Sequence, residues 1–426
     1  MMIRQRLVVL CVAAAASVMA PAVPARAGQA PQSSDPSAEQ PAPPAAPAGA
    51  KAGAAAGLGS FAGTLYHIFQ DKDLHPTLGS VAPGGGLTGG IGYDPHRGNP
   101  RQLQNSLRAS ISTKGYWLAV ADTTYRVSNI YSVEAYGRAR RMTELPFYGI
   151  GQDSFQANLT DYSLTERVVG GSASVRPRPA YAIGAKAEGL WPIVHAGGSS
   201  SEASIGTLFN EAAAPGLTDQ PAFVHYQVFA NFDYPSGQFE TPRHGVDLKA
   251  DYNIYHDVQD ARFSFNRLLV EGQARFQIAG PDRKLTLHGL SSLTSVAAGS
   301  DVPFYFQETL GGVQNLLGFH EALLGGDETA ATLRGFDDYR FRDRNLLLLQ
   351  AEFRQHVWAQ FDATIYVEAG KVTHDASQIG LSNLKHDIGI SISFMRVDAT
   401  IIRFDFAFGG GEGGHSFLTP GRVISP

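Results

Sequence analysis

The chain has 426 residues, with 34 Lys plus Arg against 39 Asp plus Glu, and a formal net charge of −5. This slightly negative balance argues against a general nucleic-acid binder, because phosphate backbones attract strongly basic surfaces. The single cysteine, Cys11, lies in the N-terminal segment described next. Disulfides and thiol chemistry are therefore excluded for the chain that follows that segment.

The N-terminus predicts a secretory signal peptide over residues 1–27. Arg4 and Arg6 form a basic start, and the apolar run of residues 7–20 follows them. Residues 25–27, Ala-Arg-Ala, have the small-x-small form of a cleavage site. The apolar run is too short to predict a membrane-spanning helix.

A composition change then divides the chain. Residues 28–57 are rich in Ala, Pro and Gly and nearly lack large apolar side chains, which predicts a disordered linker. Residues 58–426 contain no further Pro-rich stretch, so we expect one domain there. Its opening FAGTLYHIF has apolar residues at helical spacing, which predicts a short helix within residues 59–70, with a first strand as the competing prediction.

Along most of this domain, apolar and polar residues alternate with a period of two. In residues 245–254, GVDLKADYNI, the valine, leucine and tyrosine alternate with two aspartates, a lysine and an asparagine. Residues 223–234, 270–278, 387–394 and 400–408 repeat the pattern. Successive side chains of a strand point to opposite faces, so the chain is predicted to be all-β.

A soluble sandwich also alternates, but other features favour a transmembrane antiparallel β-barrel. The segments 107–126 and 346–358 are longer than the roughly 5–6 residues usual for soluble strands. The polar face carries charges of both signs, as a water-filled lumen would. Short connections such as 279–284 alternate with long ones such as 298–332, as in outer-membrane barrels.

The number of strands is predicted as sixteen, with fourteen as the alternative. To the fourteen strands that are recognisable, residues 304–309 would add one, and a second strand hidden in the long second segment would add another. Bacterial single-chain barrels usually have an even number of strands, which favours sixteen. Fourteen strands are recognisable, near residues 84–96, 106–126, 129–143, 160–177, 181–192, 222–235, 245–257, 262–279, 283–297, 343–358, 360–373, 384–397, 399–409 and 415–424.

An ordered set of motifs resembles the BamA/TamA family, the bacterial surface antigen superfamily of outer-membrane barrels. Leu333-Arg334-Gly335-Phe336 is followed by YRFRD, then by a strand containing AEFR and a strand ending YVEAGKV. The segments PFYFQETLGG and FYGIGQDS also resemble that family's barrels. The resemblance is strongest over residues 303–409 and extends over about 80–426.

This resemblance implies a sixteen-stranded barrel whose motif-bearing loop folds into the lumen. It implies that Arg334 meets an acid on the inner wall, which falls at Glu368. The alternation agrees, since Asp362, Thr364, Tyr366 and Glu368 share the polar face of one strand. A guanidinium can bind a carboxylate through two parallel hydrogen bonds, and glycine at position 335 lets the loop backbone approach the wall. Arg340, Arg342 and Arg344 are interpreted as solvated arginines at the rim.

The chain departs from the family pattern in three places. Glu368 stands where the family usually has aspartate, so the extra methylene leaves Glu352 or Asp405 as alternative partners. Residues 28–57 cannot hold the periplasmic POTRA domains that precede the family's insertase barrels. Pro420 interrupts the predicted closing strand, because proline cannot donate to a ladder.

The family resemblance implies a Gram-negative outer-membrane barrel that assists insertion or translocation of proteins or lipids. The alternatives are a passive channel or structural barrel, and an outer-membrane enzyme, for which no nucleophile and base stand out. We expect no metal and no cofactor. The expected partners are outer-membrane lipids and lipopolysaccharide, unfolded outer-membrane or secreted proteins, and a separate periplasmic partner, but not nucleic acid. Tyr116, Trp117, Trp191 and Trp358 are predicted to belong to the aromatic girdles.

Overall fold

The computed structural model describes residues 73–95, 102–234, 244–312, 332–396 and 399–420, apart from the single positions 80, 83, 279 and 281. The predicted signal peptide, the linker and the short helix within residues 59–70 lie outside the described residues. No helix among the described residues is long and apolar enough to cross a membrane.

The described chain is built from antiparallel strands, with four short 3-10 helices in the connections. The helices are Gln156–Asn158, Ile205–Thr207, Phe304–Phe306 and Ala376–Gln378. The strands are β1 Leu74–Gly79, β2 Thr88–Tyr93, β3 Leu103–Ser112, β4 Trp117–Arg126, β5 Tyr131–Phe147, β6 Thr160–Arg178, β7 Tyr181–Ala196, β8 Ala203–Ser204, β9 Phe223–Tyr234, β10 His244–Asp257, β11 Phe265–Gln277, β12 Arg283–Val296, β13 Glu308–Leu310, β14 Phe341–Asp343, β15 Asn345–Trp358, β16 Phe361–Thr373, β17 Lys385–Arg396, β18 Ala399–Gly409 and β19 Gly413–Pro420.

Seventeen of these strands form one sheet, and β13 and β14 form a separate two-stranded sheet. The two-residue strand β8 pairs in parallel with the first two residues of β6. Without β8, sixteen strands remain, and each pairs antiparallel with the next one along the chain. The prediction of a sixteen-stranded all-β barrel is confirmed.

The expectation that the long second segment hides one more strand is confirmed, because residues 106–126 contain the hairpin of β3 and β4. Other details are corrected. Residues 304–309 do not form a barrel strand. The sixteenth strand is β1, which sequence analysis missed because its six residues include Pro76 and Gly79. Residues 84–87 of the predicted first strand are not extended, and the strand begins only at Thr88. The closing strand, β19, ends at Pro420.

The alternation separates a lipid-facing belt from a polar interior. On β17, Ile388, Ile390 and Ile392 are each about half exposed, whereas Ser391 and Ser393 are buried. The same division occurs on β16 and β18 and on the strands β9 to β11. Because water-exposed isoleucine and phenylalanine rows would be costly, this belt is the surface that contacts lipid.

The two ends of the barrel differ in their connections. At one end, the turn end, strands are joined by short segments such as residues 127–130, 179–180 and 359–360. At the other, the loop end, the connections include residues 197–222 and 297–344. This is the predicted asymmetry of short turns and long loops.

The prediction of aromatic girdles holds for two of the four residues that were named. Trp191 and Trp358 are exposed on the outer surface, the second one at the turn end. Trp117 is half-buried. Tyr116 was wrongly assigned, since it is fully buried and its hydroxyl donates to the Glu144 carbonyl at 2.8 Å. It belongs to the β3–β4 turn at the loop end, where neighbouring loops cover it.

A charge on the lipid-facing belt should destabilise the barrel in proportion to its depth. Val367→Arg places a guanidinium in the middle of β16 and should cost about 2–4 kcal/mol, whereas Val357→Arg near the turn end should cost about 0–1 kcal/mol. Both valines are exposed in the barrel, at 48% and 62%. Denaturant unfolding in lipid vesicles, followed by tryptophan fluorescence, measures the difference. Equal losses would contradict the assignment of the belt.

Candidate functional site: the lid and its arginine seat

The long connection between β12 and β15 forms a lid inside the loop end of the barrel. We call its described parts, residues 297–312 and 332–344, the lid. Strand β13 pairs with β14, so the two parts are joined by backbone hydrogen bonds. Leu333 and Phe336 are buried, and the Phe336 ring packs edge-on against Phe341 at 5.1 Å. Leu333 has a φ of 38°, a conformation that L residues rarely adopt and that turns the next residue towards the wall.

Arg334 is the residue that this turn presents, and it is only 3% exposed. Its backbone N–H donates to Glu368 Oε2 at 2.7 Å, and its Nε donates to Glu368 Oε1 at 2.9 Å. The sequence-predicted pair is therefore brought together, with the backbone as a second contact. Arg334 Nη1 also donates to Asp405 at 3.0 Å, and Nη2 donates to Glu352 at 2.6 Å.

An aromatic ring completes the arrangement. The Arg334 guanidinium carbon lies 3.5 Å from the centroid of the Tyr366 ring. Stacking on an aromatic face adds cation–π attraction, which is larger where water is excluded. We call Glu352, Glu368, Asp405 and Tyr366 the arginine seat. Its members lie on β15, β16 and β18, so one lid residue contacts three strands of the wall.

A second arginine, Arg403, belongs to the wall itself. Its Nε donates to Asp405 at 2.9 Å, and its Nη2 donates to Glu352 at 3.1 Å and to Ser391 at 2.8 Å. Asp405 and Glu352 are thus shared by a wall arginine and a lid arginine. This sharing spreads two positive charges over the three carboxylates of the seat.

The charge of Arg334 is stabilised by these carboxylates. Burial alone would lower the pKa of its guanidinium, but Glu368 and Glu352 outweigh burial and raise that pKa above its ordinary value. Arg334 is therefore a permanent cation in a place that water barely reaches. Removing one partner would leave an unmatched buried charge.

Gly335 is required by the close approach of the lid to the wall. Its N–H donates to Asp387 Oδ2 at 2.8 Å. A Cβ added at this position would lie 2.6 Å from the Asp387 Cβ and 2.6 Å from the backbone N of Gly409. The backbone atoms there cannot move without distorting β18, so no larger residue fits.

Sequence reasoning identified Arg334, Gly335 and Glu368 but treated the other acids as alternatives. The structure instead brings Glu352, Glu368 and Asp405 to the same guanidinium. Sequence analysis missed Arg403 as a partner. A signal for it exists, because Arg403 and Asp405 are two positions apart on a strand and therefore share a face.

The interpretation of the following arginines as solvated rim residues is wrong for two of them. Arg340 is 4% exposed and donates to Glu412 and Ser154, and Arg342 is 1% exposed. Because the lid folds inward, these residues meet the barrel instead of water. Arg344 is only partly buried and pairs with Asp301 at 2.6 Å.

Arg342 links the lid to the β5–β6 side of the barrel. Its Nη1 donates at 2.7 Å to the carbonyl of Phe304, which also belongs to the lid, and its Nη2 donates to the Tyr162 hydroxyl of β6 at 3.4 Å. Its guanidinium lies within 6 Å of the rings of Phe147, Tyr162 and Phe304. The backbone carbonyl of Arg342 also accepts from the N–H of Gly151 at 2.7 Å.

An aromatic cluster fills the space around the 3-10 helix of the lid. Phe304 packs edge-on against Phe147 at 5.2 Å and Tyr162 at 4.9 Å. Phe306 packs against Phe223 at 5.0 Å and Tyr255 at 5.3 Å. Strands from both halves of the meander thus contact the lid, which covers the lumen at the loop end.

The described residues contain no group of three or more histidine, cysteine, aspartate or glutamate side chains arranged to hold a metal ion. The carboxylates of the arginine seat are occupied by guanidinium groups. The arrangement therefore fits an electrostatic clamp on a loop, and its chemistry is hydrogen bonding and charge pairing.

Comparison with known proteins identifies the fold. No protein-family model and no curated protein matches the chain. Among solved structures, it is similar to BamA from Haemophilus ducreyi lacking POTRA domains 1–3, with a TM-score of 0.52, 10% identity, and coverage of 86% of this chain and 77% of that one. It is also similar to CdiB from Escherichia coli, with a TM-score of 0.50, 11% identity, and coverage of 81% and 61%.

The chain therefore has the fold of a BamA-like β-barrel. The resemblance to the BamA/TamA family, drawn above from short motifs, is borne out at the level of the fold. The chain spans about three fifths of the CdiB chain.

Removing the lid arginine should release the lid. Arg334→Ala removes one of the two cations that the three wall carboxylates share. It should lower the free energy of unfolding by about 3–5 kcal/mol, as breaking a buried ion pair does. Arg334→Lys keeps the charge but loses the planar fork, so its loss should be intermediate. Denaturant unfolding of the refolded barrel measures both losses. If Arg334→Ala lowers the free energy of unfolding by no more than the loss of a solvent-exposed ion pair does, the buried clamp is contradicted.

A methyl group at Gly335 should also unseat the lid. Gly335→Ala should raise the rate of protease cleavage within the lid, because its Cβ cannot be accommodated between Asp387 and Gly409. Gly380→Ala is the matched control, since a Cβ there meets nothing within 4 Å. Equal protection of the two variants in limited proteolysis would show that the lid backbone is not in close contact with the wall.

Proposed function

We propose that the chain is an outer-membrane barrel that assists the insertion or translocation of proteins or lipids. Three features support this proposal: the lipid-facing belt, the short turns opposite long loops, and the BamA-like fold. The turn end then faces the periplasm, and the loop end faces the cell exterior.

The observation that carries the proposal is the way the lid is held. Arg334 lies in a seat of three carboxylates and an aromatic ring, and Arg342 contacts Tyr162 of β6. A permanently open diffusion pore has no use for a buried charged clamp across its lumen. A barrel that opens only while it handles a client needs a closed state of defined stability.

The proposed partners follow from this location. Outer-membrane lipids and lipopolysaccharide would surround the apolar belt, and unfolded outer-membrane or secreted proteins would be the polypeptide clients. A separate periplasmic partner would deliver them at the turn end. We propose neither nucleic acid nor a cofactor as a partner, and no catalytic activity.

The alternative is a passive channel or a structural barrel that keeps the lid without handling clients. The aromatic cluster around Phe304 and Phe306 favours the closed barrel over the channel, since apolar rings fill the loop end of the lumen. The two functions differ in conductance and in the effect of deleting the gene on other outer-membrane proteins.

Conductance in planar bilayers should distinguish the two functions. The intact barrel should conduct poorly, and deletion of residues 300–340 should produce large, stable openings because the lid is removed. A large open pore in the unmodified barrel would instead support the passive channel. In parallel, depletion of the protein in its host should reduce the amount of folded client proteins in the outer membrane, and unchanged amounts would contradict the proposed function.

A further inference from the structure

We propose that the arginine seat is an exchangeable receptor for guanidinium groups, and that an arginine side chain of a polypeptide client replaces Arg334 in it when the lid withdraws. This inference rests on the proposed function and narrows its substrate to polypeptide. Lipid headgroups of the outer membrane are anionic at their phosphates and would be repelled by three carboxylates. Arginine is the common biological carrier of a guanidinium.

The seat matches a guanidinium in shape as well as in charge. Three separate carboxylates receive three different edges of the Arg334 fork, at Nε, Nη1 and Nη2. The flat face of the same group lies 3.5 Å from the centre of the Tyr366 ring. A lysine ammonium is compact and strongly hydrated, so it can neither bridge these three sites nor stack as well.

The seat keeps its shape when its occupant leaves. Arg403, which is itself part of the wall, donates to Asp405 and Glu352, and Gln350 donates to Glu368 Oε1 at 2.6 Å. These contacts are made within the barrel wall and do not depend on the lid. A preorganised site gives affinity because little ordering remains to be done on binding.

The seat also has an accessible side, and this side faces the turn end. The side chain of Arg334 is 4% exposed and that of Glu368 is 0% exposed, whereas those of Glu352 and Arg403 are 23% and 14% exposed. Arg403 lies nearer the turn end of β18 than Asp405. An unfolded client entering from the periplasm would therefore reach the exposed edge of the seat before it reached the lid.

Competition between the lid and the client would couple entry to opening. A client arginine that takes part of the Glu352 contact weakens the hold on Arg334, and each partner that Arg334 loses favours its departure. The exchange replaces one guanidinium by another, so the buried carboxylates are not left unmatched at any stage. Client peptides without arginine would lack this advantage.

Binding of short peptides to the purified barrel tests the proposal. Two labelled peptides of equal length and charge are used, one carrying arginine and the other lysine at the same positions. With Arg334→Ala, where the seat is vacated, the arginine peptide should bind at least tenfold more tightly than the lysine peptide. The unmodified barrel, whose seat is occupied by Arg334, should bind the arginine peptide at least tenfold more weakly than the Arg334→Ala barrel does.

Two further variants locate the binding. Adding Glu368→Gln to Arg334→Ala should remove the preference for arginine. Arg342→Ala removes another buried lid arginine, which is held by a carbonyl and aromatic rings, and should not create the preference. If Arg334→Ala fails to fold, Arg334→Lys provides the same test, because a lysine in the seat should be displaced by the arginine peptide more readily than by the lysine peptide.

The outcomes separate the seat from the function. Equal affinities for the two peptides in the vacated seat, or an arginine preference that survives Glu368→Gln, would overturn the receptor. If the preference for arginine is present but depletion of the protein in its host leaves the amounts of client proteins unchanged, the insertion function is contradicted. The assignment of the guanidinium site is then still supported. A preference in the vacated seat with no competition from the lid would overturn the exchange.

Discussion

The matching of one buried guanidinium governs the arrangement of the lid. Taking Arg334 out of water is costly, and only several carboxylates at hydrogen-bonding distance can offset that cost. Those carboxylates come from β15, β16 and β18, so the lid can close only when these strands have their native register. Gly335 is the second half of the same constraint, because the arginine reaches its partners only if the adjoining backbone lies against the wall.

The fold was predictable because the barrel obeys a local rule. Each strand presents apolar side chains to lipid and polar ones to the lumen, and this rule can be read from the sequence residue by residue. The rule says nothing about where a tight turn lies. At the β3–β4 hairpin, Ile111 pairs with Trp117, so the alternation continues in phase through the turn and the two strands look like one.

The seat was predictable in part, for a related reason. Alternation assigns Glu352, Glu368 and Asp405 to the lumen, but it gives no relative height for residues on different strands. Their convergence depends on the stagger between strands, which cross-strand pairing sets and a single sequence does not reveal. The burial of Arg340 and Arg342 was missed because it depends on contacts with loops far away in the chain, such as that of Arg340 with Ser154.

The attachment of the lid at two walls has a mechanical consequence. Arg334 binds Asp405 on β18, near the end of the meander, and Arg342 binds Tyr162 on β6, in its first half. Residues 334–342 of the lid connect these two points, so the lid ties together two parts of the wall that are far apart along the chain. A change in the distance between these two parts of the wall would strain the contacts of the lid. Deformation of the wall by the surrounding bilayer would then be felt directly at the lid.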